Sequence, residues 1–274
     1  MLWRTMTLSL PPLLFLHANG YPAGVYRRFL EPLAGSRTVH AIEALGADAQ
    51  HGGPGRGWRR LHMQVCGVIE RLPEGPLDLV GHSMGGWLAA MAAARQQRRP
   101  VRVVLIDSPM VLGWRATLVS AAKAAGLTWR VGPAPVAARR RQHWASRDEA
   151  RAHLGEKEFV RRWAPGVFDD FLQAGLRALP DGSVTLAIAR ETERDVYATI
   201  AHREALRAVR RLRARGVPVG FIAGRDSEEL RLAGREQNRR FWGRDWVELP
   251  TGHLVPMEAP EACAQAVAAL LGPA

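Results

Sequence analysis

Residues 77–86 read Leu-Asp-Leu-Val-Gly-His-Ser-Met-Gly-Gly, and the rest of the chain is organised around this stretch. Its first four residues form an apolar run typical of a buried strand, and the alanine-rich sequence from Trp87 onward is typical of a helix. The turn between them, Gly81 to Gly85, matches the pattern Gly-x-Ser-x-Gly. Because the flanking glycines leave room for a tight turn, we expect the Ser83 hydroxyl to stand clear of the backbone. The stretch therefore predicts that Ser83 is a nucleophile.

Strand-like and helix-like segments alternate on both sides of this turn. The predicted strands are residues 5–10, 13–17, 37–42, 77–80, 101–106, 217–223 and 245–249, and the predicted helices are residues 58–72, 84–97, 229–241 and 260–271. Such alternation favours an α/β fold, in which a mostly parallel sheet carries helices on both faces.

Residues 110–215 interrupt this alternation. They are rich in Arg, Ala and Trp, with helical periodicity, a few Pro/Gly breaks and one strand-like piece at 183–189. A segment of this length between two core strands predicts an inserted, mainly helical cap over the carboxyl edge of the sheet. The expected organisation is a core formed by residues 1–109 and 216–274, with residues 110–215 as the cap.

The composition indicates a folded protein with a sizeable hydrophobic core. The chain has 274 residues, is 47% hydrophobic and contains 9 Trp, which excludes a disordered protein. Its two cysteines, Cys66 and Cys263, have no metal-binding spacing and are too few for a disulfide framework. We therefore expect a cytoplasmic protein without a metal or other cofactor. No stretch approaches the ~20 apolar residues of a membrane span.

The formal net charge is +12, and the excess is arginine, since Lys123 and Lys157 are the only lysines. The arginines concentrate at 95–99, 139–141 and 203–215. These runs lack interleaved aromatic residues and a known binding motif, so we do not expect a nucleic-acid partner. Attraction of acidic substrates or of a membrane surface is favoured over nucleic-acid binding.

A serine hydroxyl needs a base to take its proton. His253 follows the last predicted strand and precedes the last helix, on a loop at the same sheet edge as Ser83. We therefore expect His253 to be the general base.

The acid that orients this histidine is open between three residues. Asp226 follows the strand at 217–223 and is the first choice. Asp107, at the end of the strand at 101–106, is an alternative, and Glu229 is another.

An oxyanion formed at the serine needs two hydrogen-bond donors. The amide of Met84, at the start of the helix after the turn, is one expected donor. The apolar strand at 13–16 runs directly into the loop His-Ala-Asn-Gly at 17–20, and the amide of Asn19 is the other expected donor.

Together these residues resemble the α/β-hydrolase superfamily, in particular its capped, lipase- or esterase-like serine hydrolases. The order Ser83, Asp226, His253 matches the family's nucleophile–acid–histidine order. The loop at 17–20 is similar to the family's His-Gly-x oxyanion loop, with Ala18 in place of the usual glycine.

The resemblance covers residues 5–109 and 216–272. It implies an α/β-hydrolase fold whose cap is inserted after the strand that follows the nucleophile helix. In many members the catalytic aspartate comes three residues after the loop glycine, whereas this chain has serine at position 227.

We expect a serine hydrolase that cleaves carboxylic esters through an acyl-enzyme on Ser83. A thioesterase, a lactonase or a carbon–carbon bond hydrolase is an alternative on the same scaffold, and a non-catalytic ligand-binding protein is an alternative of another class. The expected partner is a small ester with an apolar acyl or aryl group. Its expected contacts are Ala18, Tyr21, His82 and Trp114, while Trp129, Trp144 and Trp163 either line the same pocket or form the core of the cap.

Overall fold

The computed structural model describes residues 10–46 and 58–273, so the strand predicted at 5–10 lies outside the described residues except for Leu10. The strands are β1 (Leu13–Leu16), β2 (Val39–Ala41), β3 (Leu77–His82), β4 (Val101–Ile106), β5 (His143–Trp144), β6 (Leu176–Ala178), β7 (Val184–Leu186), β8 (Val219–Gly224) and β9 (Trp246–Leu249). The helices are α1 (Arg27–Ala34), α2 (Trp58–Arg71), α3 (Met84–Ala93), α4 (Gly113–Ala124), α5 (Pro133–Arg139), α6 (Arg147–Gly155), α7 (Glu158–Arg161), α8 (Val167–Ala174), α9 (Arg190–Ala198), α10 (His202–Ala214), α11 (Glu228–Ala233), α12 (Arg235–Trp242), α13 (Val255–Glu258) and α14 (Pro260–Leu271).

The central sheet has the strand order β2-β1-β3-β4-β8-β9, and all its described pairings are parallel. The predicted α/β architecture is therefore confirmed. In a parallel sheet the carboxyl ends of the strands share one edge. This edge gathers the segments that follow β1, β3, β4, β8 and β9, and these segments contain every residue predicted to take part in the chemistry.

Two apolar cores lie on the two faces of this sheet. Along β4, Val103 and Leu105 belong to one core while Val104 and Ile106 belong to the other, as expected for strands buried on both sides. Helices α2, α3 and α10 cover the first face, and α1 and α14 cover the second. Nearly every residue of α3 is buried, because the helix carries small and apolar side chains on all sides.

The segment between β4 and α10 forms an insertion that contains α4 to α9 and an antiparallel sheet of order β5-β7-β6. The strand predicted at 183–189 is observed as β7. The predicted end of the cap at residue 215 is too late. Helix α10 packs on α3, and Ala205, Val209 and Leu212 belong to the first core, so α10 is part of the layer that covers the sheet.

Two helices differ from the predictions for identifiable reasons. The single helix predicted at 229–241 is divided into α11 and α12 by Gly234, whose φ of 98° is incompatible with a continuous helix. Helix α1 was not predicted, because Pro32 lies inside it and obscures the helical pattern. Its apolar side chains Phe29 and Leu33 are buried in the second core.

Candidate active site

The turn between β3 and α3 holds Ser83 in an uncommon backbone conformation, with φ of 53° and ψ of −117°. The neighbouring glycines make this turn possible. A Cβ atom on Gly81 would lie 2.2 Å from the carbonyl carbon of Gly85, and one on Gly85 would lie 2.0 Å from the carbonyl oxygen of Leu16. The Ser83 side chain borders two cavities, so the serine stands clear of the backbone as predicted.

The Ser83 hydroxyl is hydrogen-bonded to His253. Its Oγ atom lies 3.0 Å from Nε2 of the imidazole, which reaches it from the loop between β9 and α13. The loop histidine predicted from sequence is therefore within proton-transfer distance of the predicted nucleophile.

The acid beside His253 is Asp107. Its Oδ1 lies 2.9 Å from Nδ1 of the imidazole. The carboxylate is 0% exposed and accepts two further hydrogen bonds, from the Gly224 amide at 2.6 Å and the Ser227 hydroxyl at 2.7 Å. These contacts fix its orientation and satisfy its buried oxygens. Because Nδ1 donates to this carboxylate, Nε2 is left to accept the Ser83 hydroxyl proton.

The first-choice acid, Asp226, does not contact the histidine. Its side chain is 51% exposed and lies 3.6–3.7 Å from the guanidinium groups of Arg225 and Arg162. The alternative Glu229 lies 3.7 Å from Nδ1 of His253, which is too long for a hydrogen bond. The expectation that Asp226 orients His253 is therefore wrong on geometry, and the alternative Asp107 takes that position.

Ser227 explains how Asp107 is held. It begins α11 by accepting a hydrogen bond from the Leu230 amide at 3.1 Å, and its hydroxyl donates to Asp107. The loop after β8, where the resemblance implied the acid, thus supplies donors to a carboxylate from the end of β4.

The surroundings of His253 raise its pKa above 6.5. Burial alone lowers this pKa, since it disfavours the imidazolium. The hydrogen bond to Asp107 and the charges of Glu229, Asp107 and Glu258 outweigh that effect, because all of them favour the protonated ring.

Two backbone amides remain available beside the serine. Met84 is the first residue of α3, so its N–H has no partner within the helix. Among the residues that the structure describes, the amide of Asn19 has no acceptor, and its side-chain Nδ2 instead donates to the Glu193 carbonyl at 2.9 Å. Both predicted donors are therefore free to bind an oxyanion.

His17 anchors the loop that carries Asn19. Its Nδ1 donates to the Ala18 carbonyl at 2.7 Å, and its Nε2 accepts from the Leu45 amide at 2.6 Å. Burial lowers the pKa of His17 to about 4 against the opposing effect of the Ala18 hydrogen bond, so the ring is neutral and its two nitrogens keep these distinct roles.

His82 does not contact substrate space, and its predicted role in substrate binding is wrong on geometry. The ring is fully buried, and it lines neither cavity beside Ser83. Its Nε2 donates to the His253 carbonyl at 2.9 Å, and its Nδ1 accepts from the Tyr26 hydroxyl at 2.8 Å. Tyr26 in turn accepts from the Ala18 amide at 3.0 Å. A chain of hydrogen bonds thus joins the oxyanion loop, the nucleophile turn and the histidine loop.

An apolar cavity of about 450 Å³ opens beside Ser83 and His253. Trp58 and Trp87 form part of its wall, with ring centroids 5.4 Å apart. The indole nitrogen of Trp58 donates to the Val196 carbonyl, and that of Trp87 donates to the Ser108 carbonyl. The ring faces are therefore left for apolar contact. The other apolar side chains lining this cavity are Met84, Pro109, Val111, Trp114, Leu118, Val119, Pro133, Val196, Ile200, Leu232 and Ala233.

A second cavity of about 320 Å³ also borders Ser83, and its lining is rich in charged side chains. Five carboxylate residues and one arginine take part in its lining, together with the predicted contacts Ala18 and Tyr21. The charged residues are Glu193, Asp226, Glu228, Glu229, Glu258 and Arg162. Ser83 thus borders both an apolar cavity and a cavity lined by charged side chains.

The four tryptophans predicted for the cap lie in three different environments. Trp114 lines the apolar cavity, as expected. Trp144 and Trp163 are buried in the second core, and Trp129 lies outside both cavity linings. Trp58 and Trp87 were not singled out from the sequence, because their helical context is equally typical of core residues.

No group of three or more His, Cys, Asp or Glu side chains suited to a metal ion occurs within residues 10–46 and 58–273. Within the same ranges, no helix is long and apolar enough to cross a membrane.

The model of a protein family described as "Alpha/beta hydrolase family" matches residues 13–266 of the chain. No curated protein matches the chain significantly in sequence.

Solved structures of hydrolases share the fold. E-2-(acetamidomethylene)succinate hydrolase is 19% identical with a TM-score of 0.70, and the match covers 95% of this chain and 91% of that chain. The thioesterase domain from the curacin biosynthetic pathway is 18% identical with a TM-score of 0.71, covering 94% and 90%. The enol-lactonase from Burkholderia xenovorans LB400 is 18% identical with a TM-score of 0.58, covering 95% and 91%. At these identities the likeness concerns the fold alone.

Proposed function

The chain belongs to the alpha/beta hydrolase family, and on this premise we propose that it cleaves carboxylic esters through a covalent acyl-enzyme on Ser83. The observation that carries the proposal is the hydrogen-bonded series Ser83–His253–Asp107 beside the free amides of Asn19 and Met84. A nucleophile, a base, an orienting acid and two oxyanion donors are the complete set that acyl transfer requires.

In the acylation step, Ser83 Oγ attacks the ester carbonyl carbon while its proton moves to Nε2 of His253. The amides of Asn19 and Met84 bind the oxyanion of the tetrahedral intermediate. Asp107 stabilises the imidazolium without taking its proton. When the intermediate collapses, the bond to the alcohol breaks and the imidazolium gives its proton to the leaving oxygen.

Deacylation repeats these roles with water as the nucleophile. His253 takes a proton from water as it attacks the acyl carbonyl, and then returns a proton to Ser83 Oγ when the acid leaves. The raised pKa of His253 supports this cycle, because the imidazole must accept a proton readily and keep it until the leaving group departs.

The two cavities suit a substrate with two chemically different parts. An apolar acyl or aryl group occupies the cavity walled by Trp58 and Trp87, and the polar or charged remainder occupies the cavity lined by carboxylates. A thioester, a lactone or an activated carbon–carbon bond would meet the same groups, so these remain the alternative substrates. A soluble, cytoplasmic enzyme working without a metal or other cofactor is part of the proposal.

A fluorophosphonate probe tests the nucleophile. We expect labelling of the wild type at Ser83 and its loss in Ser83→Ala and His253→Ala, whereas Ser36→Ala, at an exposed serine far along the chain from the turn, is labelled normally. Absence of labelling in the wild type, under conditions that label a reference serine hydrolase, contradicts the catalytic proposal and favours a non-catalytic binding protein.

Matched series of substrates then show which type of acyl bond the protein cleaves. Phenyl esters, phenyl thioesters and lactones of increasing acyl length are compared by kcat/KM. We expect esters to be preferred and kcat/KM to rise with acyl length until the apolar cavity is filled. A higher kcat/KM for thioesters or lactones would identify the protein as a thioesterase or a lactonase, with Ser83 still the nucleophile.

A further inference from the structure

Helix α4 exposes apolar side chains that the rest of the molecule leaves uncovered. None of its residues is buried, and Trp114 and Leu118, one turn apart on the same side, are 66% and 59% exposed. In the segment that follows α4, Val131 is 58% and Val136 is 71% exposed. We call these four side chains, with the backbone between them, the α4–α5 surface. Large apolar side chains grouped in this way mark a docking surface.

The same part of the chain is uniformly basic. Residues 108–147 contain seven Arg or Lys and no Asp or Glu. Arg130 and Arg139 are exposed, and neither forms an ion pair with a carboxylate among the described residues. The guanidinium of Arg115 lies 4.6 Å from the Trp114 ring centroid. The α4–α5 surface therefore combines tryptophan and aliphatic groups with unpaired positive charge.

From this combination we propose that the α4–α5 surface docks on an anionic lipid surface. Tryptophan and leucine favour the boundary between lipid headgroups and acyl chains, and Lys and Arg are attracted to anionic headgroups. A second copy of the chain is the poorer occupant, because it would bring two sets of unpaired cations together. The proposal does not depend on the proposed hydrolytic function.

The apolar cavity beside Ser83 opens on this surface. Trp114 and Leu118 line the cavity and are also exposed to solvent, so the cavity mouth lies between them and Leu232. Docking would place that mouth against the lipid, and a hydrophobic substrate would then reach Ser83 without crossing water.

Co-sedimentation with vesicles tests the proposal. We expect the full chain to bind vesicles of equimolar phosphatidylcholine and phosphatidylglycerol, and to bind pure phosphatidylcholine far more weakly. Ser83→Ala is expected to bind as the wild type does, which separates docking from catalysis. Arg130→Glu/Arg139→Glu is expected to lower the partition coefficient by about tenfold or more, whereas Arg207→Glu/Arg211→Glu, an equal charge change on exposed positions of α10, lowers it less.

The apolar part is tested with Trp114→Ser/Leu118→Ser. We expect this variant to lose binding, and Met63→Ser, at a 53% exposed position on α2, to keep it. Circular dichroism checks that all variants are folded. The proposal is overturned if the wild type does not bind anionic vesicles, or if both charge variants lose binding equally. It is also overturned if the wild type is a dimer that Trp114→Ser/Leu118→Ser converts to monomers, since a second copy then covers this surface.

Discussion

The Nδ1 atom of His253 lies 2.9 Å from Oδ1 of Asp107, although 146 residues separate them in the chain. The two residues follow β9 and β4, which are separated in the sheet by β8. The last residue of β8 and the loop after it bridge the gap, since the Gly224 amide and the Ser227 hydroxyl both donate to the carboxylate. The acid of this site therefore comes from one strand and is held in place by another.

Replacing Asp107 tests this arrangement. We expect Asp107→Asn to lower kcat by about 10³–10⁴-fold, because the amide cannot favour the required imidazole tautomer or stabilise the imidazolium. The exposed Asp226→Asn is expected to cost less than about tenfold, as the ion pairs of exposed carboxylates contribute little. Ester turnover of the two purified variants decides between them, and the reverse ranking would restore Asp226 as the acid.

The pH profile depends on His253. The imidazole must be neutral to act as a base, so kcat/KM is expected to fall as pH drops through the His253 pKa, which lies above 6.5. Glu229→Gln removes a negative charge that favours the imidazolium. It is therefore expected to lower this pKa and move the acidic side of the pH profile to lower pH, by a small amount because Glu229 is half exposed.

Glu228→Gln is the control for this shift. The Glu228 carboxylate lines the second cavity but is paired with Arg231, and it does not contribute to the His253 pKa. The electrostatic explanation is contradicted if the acidic side of the pH profile of kcat/KM moves equally in both variants. It is also contradicted if that side moves to higher pH in Glu229→Gln.

The Tyr26 hydroxyl is expected to position the oxyanion loop and the His253 loop together. Tyr26→Phe keeps the ring packed against Phe15, with centroids 4.7 Å apart, but leaves the Ala18 amide and His82 Nδ1 without their partner. We expect the free energy of unfolding to fall by about 1–3 kcal/mol. We also expect kcat to fall about tenfold with little change in KM, because the oxyanion donors shift. Lost stability with unchanged kcat would reduce Tyr26 to a purely structural residue.

The close approach of the nucleophile turn to β1 makes Gly85 irreplaceable. Gly85→Ala would place a Cβ atom 2.0 Å from the Leu16 carbonyl oxygen, and both partners are backbone that cannot rotate away. We expect a loss of about 3 kcal/mol or more in the free energy of unfolding, measured by urea denaturation. Gly67→Ala, in α2 with only a flexible arginine nearby, is the matched control and is expected to stabilise by about 0.5–1 kcal/mol.

A buried charge cluster supports the opposite edge of the sheet. Asp78, 1% exposed, is bonded to Arg37, which is 2% exposed, and to Arg102 at 2.7 Å. Asp78→Ala is expected to destabilise the fold by about 3–5 kcal/mol, because it leaves the Arg37 guanidinium buried without its anion. Thermal unfolding measures the loss. Arg37→Met/Asp78→Leu removes the buried Arg37–Asp78 pair and leaves only the partly exposed Arg102 without its anion, so a smaller loss is expected. An equal or larger loss in the double variant contradicts this explanation.

The sequence determined the features that depend on local chemistry. Short apolar runs predict the strands, and their alternation with helices along the chain predicts a mostly parallel sheet. The glycines around Ser83 predict a tight turn because only glycine tolerates such backbone approach. His253 is predictable because carboxyl ends of parallel strands share one edge, so a histidine just after the last strand lies near a serine just after β3.

Only the tertiary structure decided which acid faces the histidine. Asp107, Asp226 and Glu229 all follow strands at the same edge, and a difference of a few ångströms between loops separates a hydrogen bond from an exposed side chain. The same holds for His82, whose neighbours Tyr26 and the His253 carbonyl are distant in sequence, and for Trp58 and Trp87, whose helical pattern does not distinguish a core residue from a cavity wall. The sequence determines which groups reach the edge, and the packing of the loops determines which of them touch.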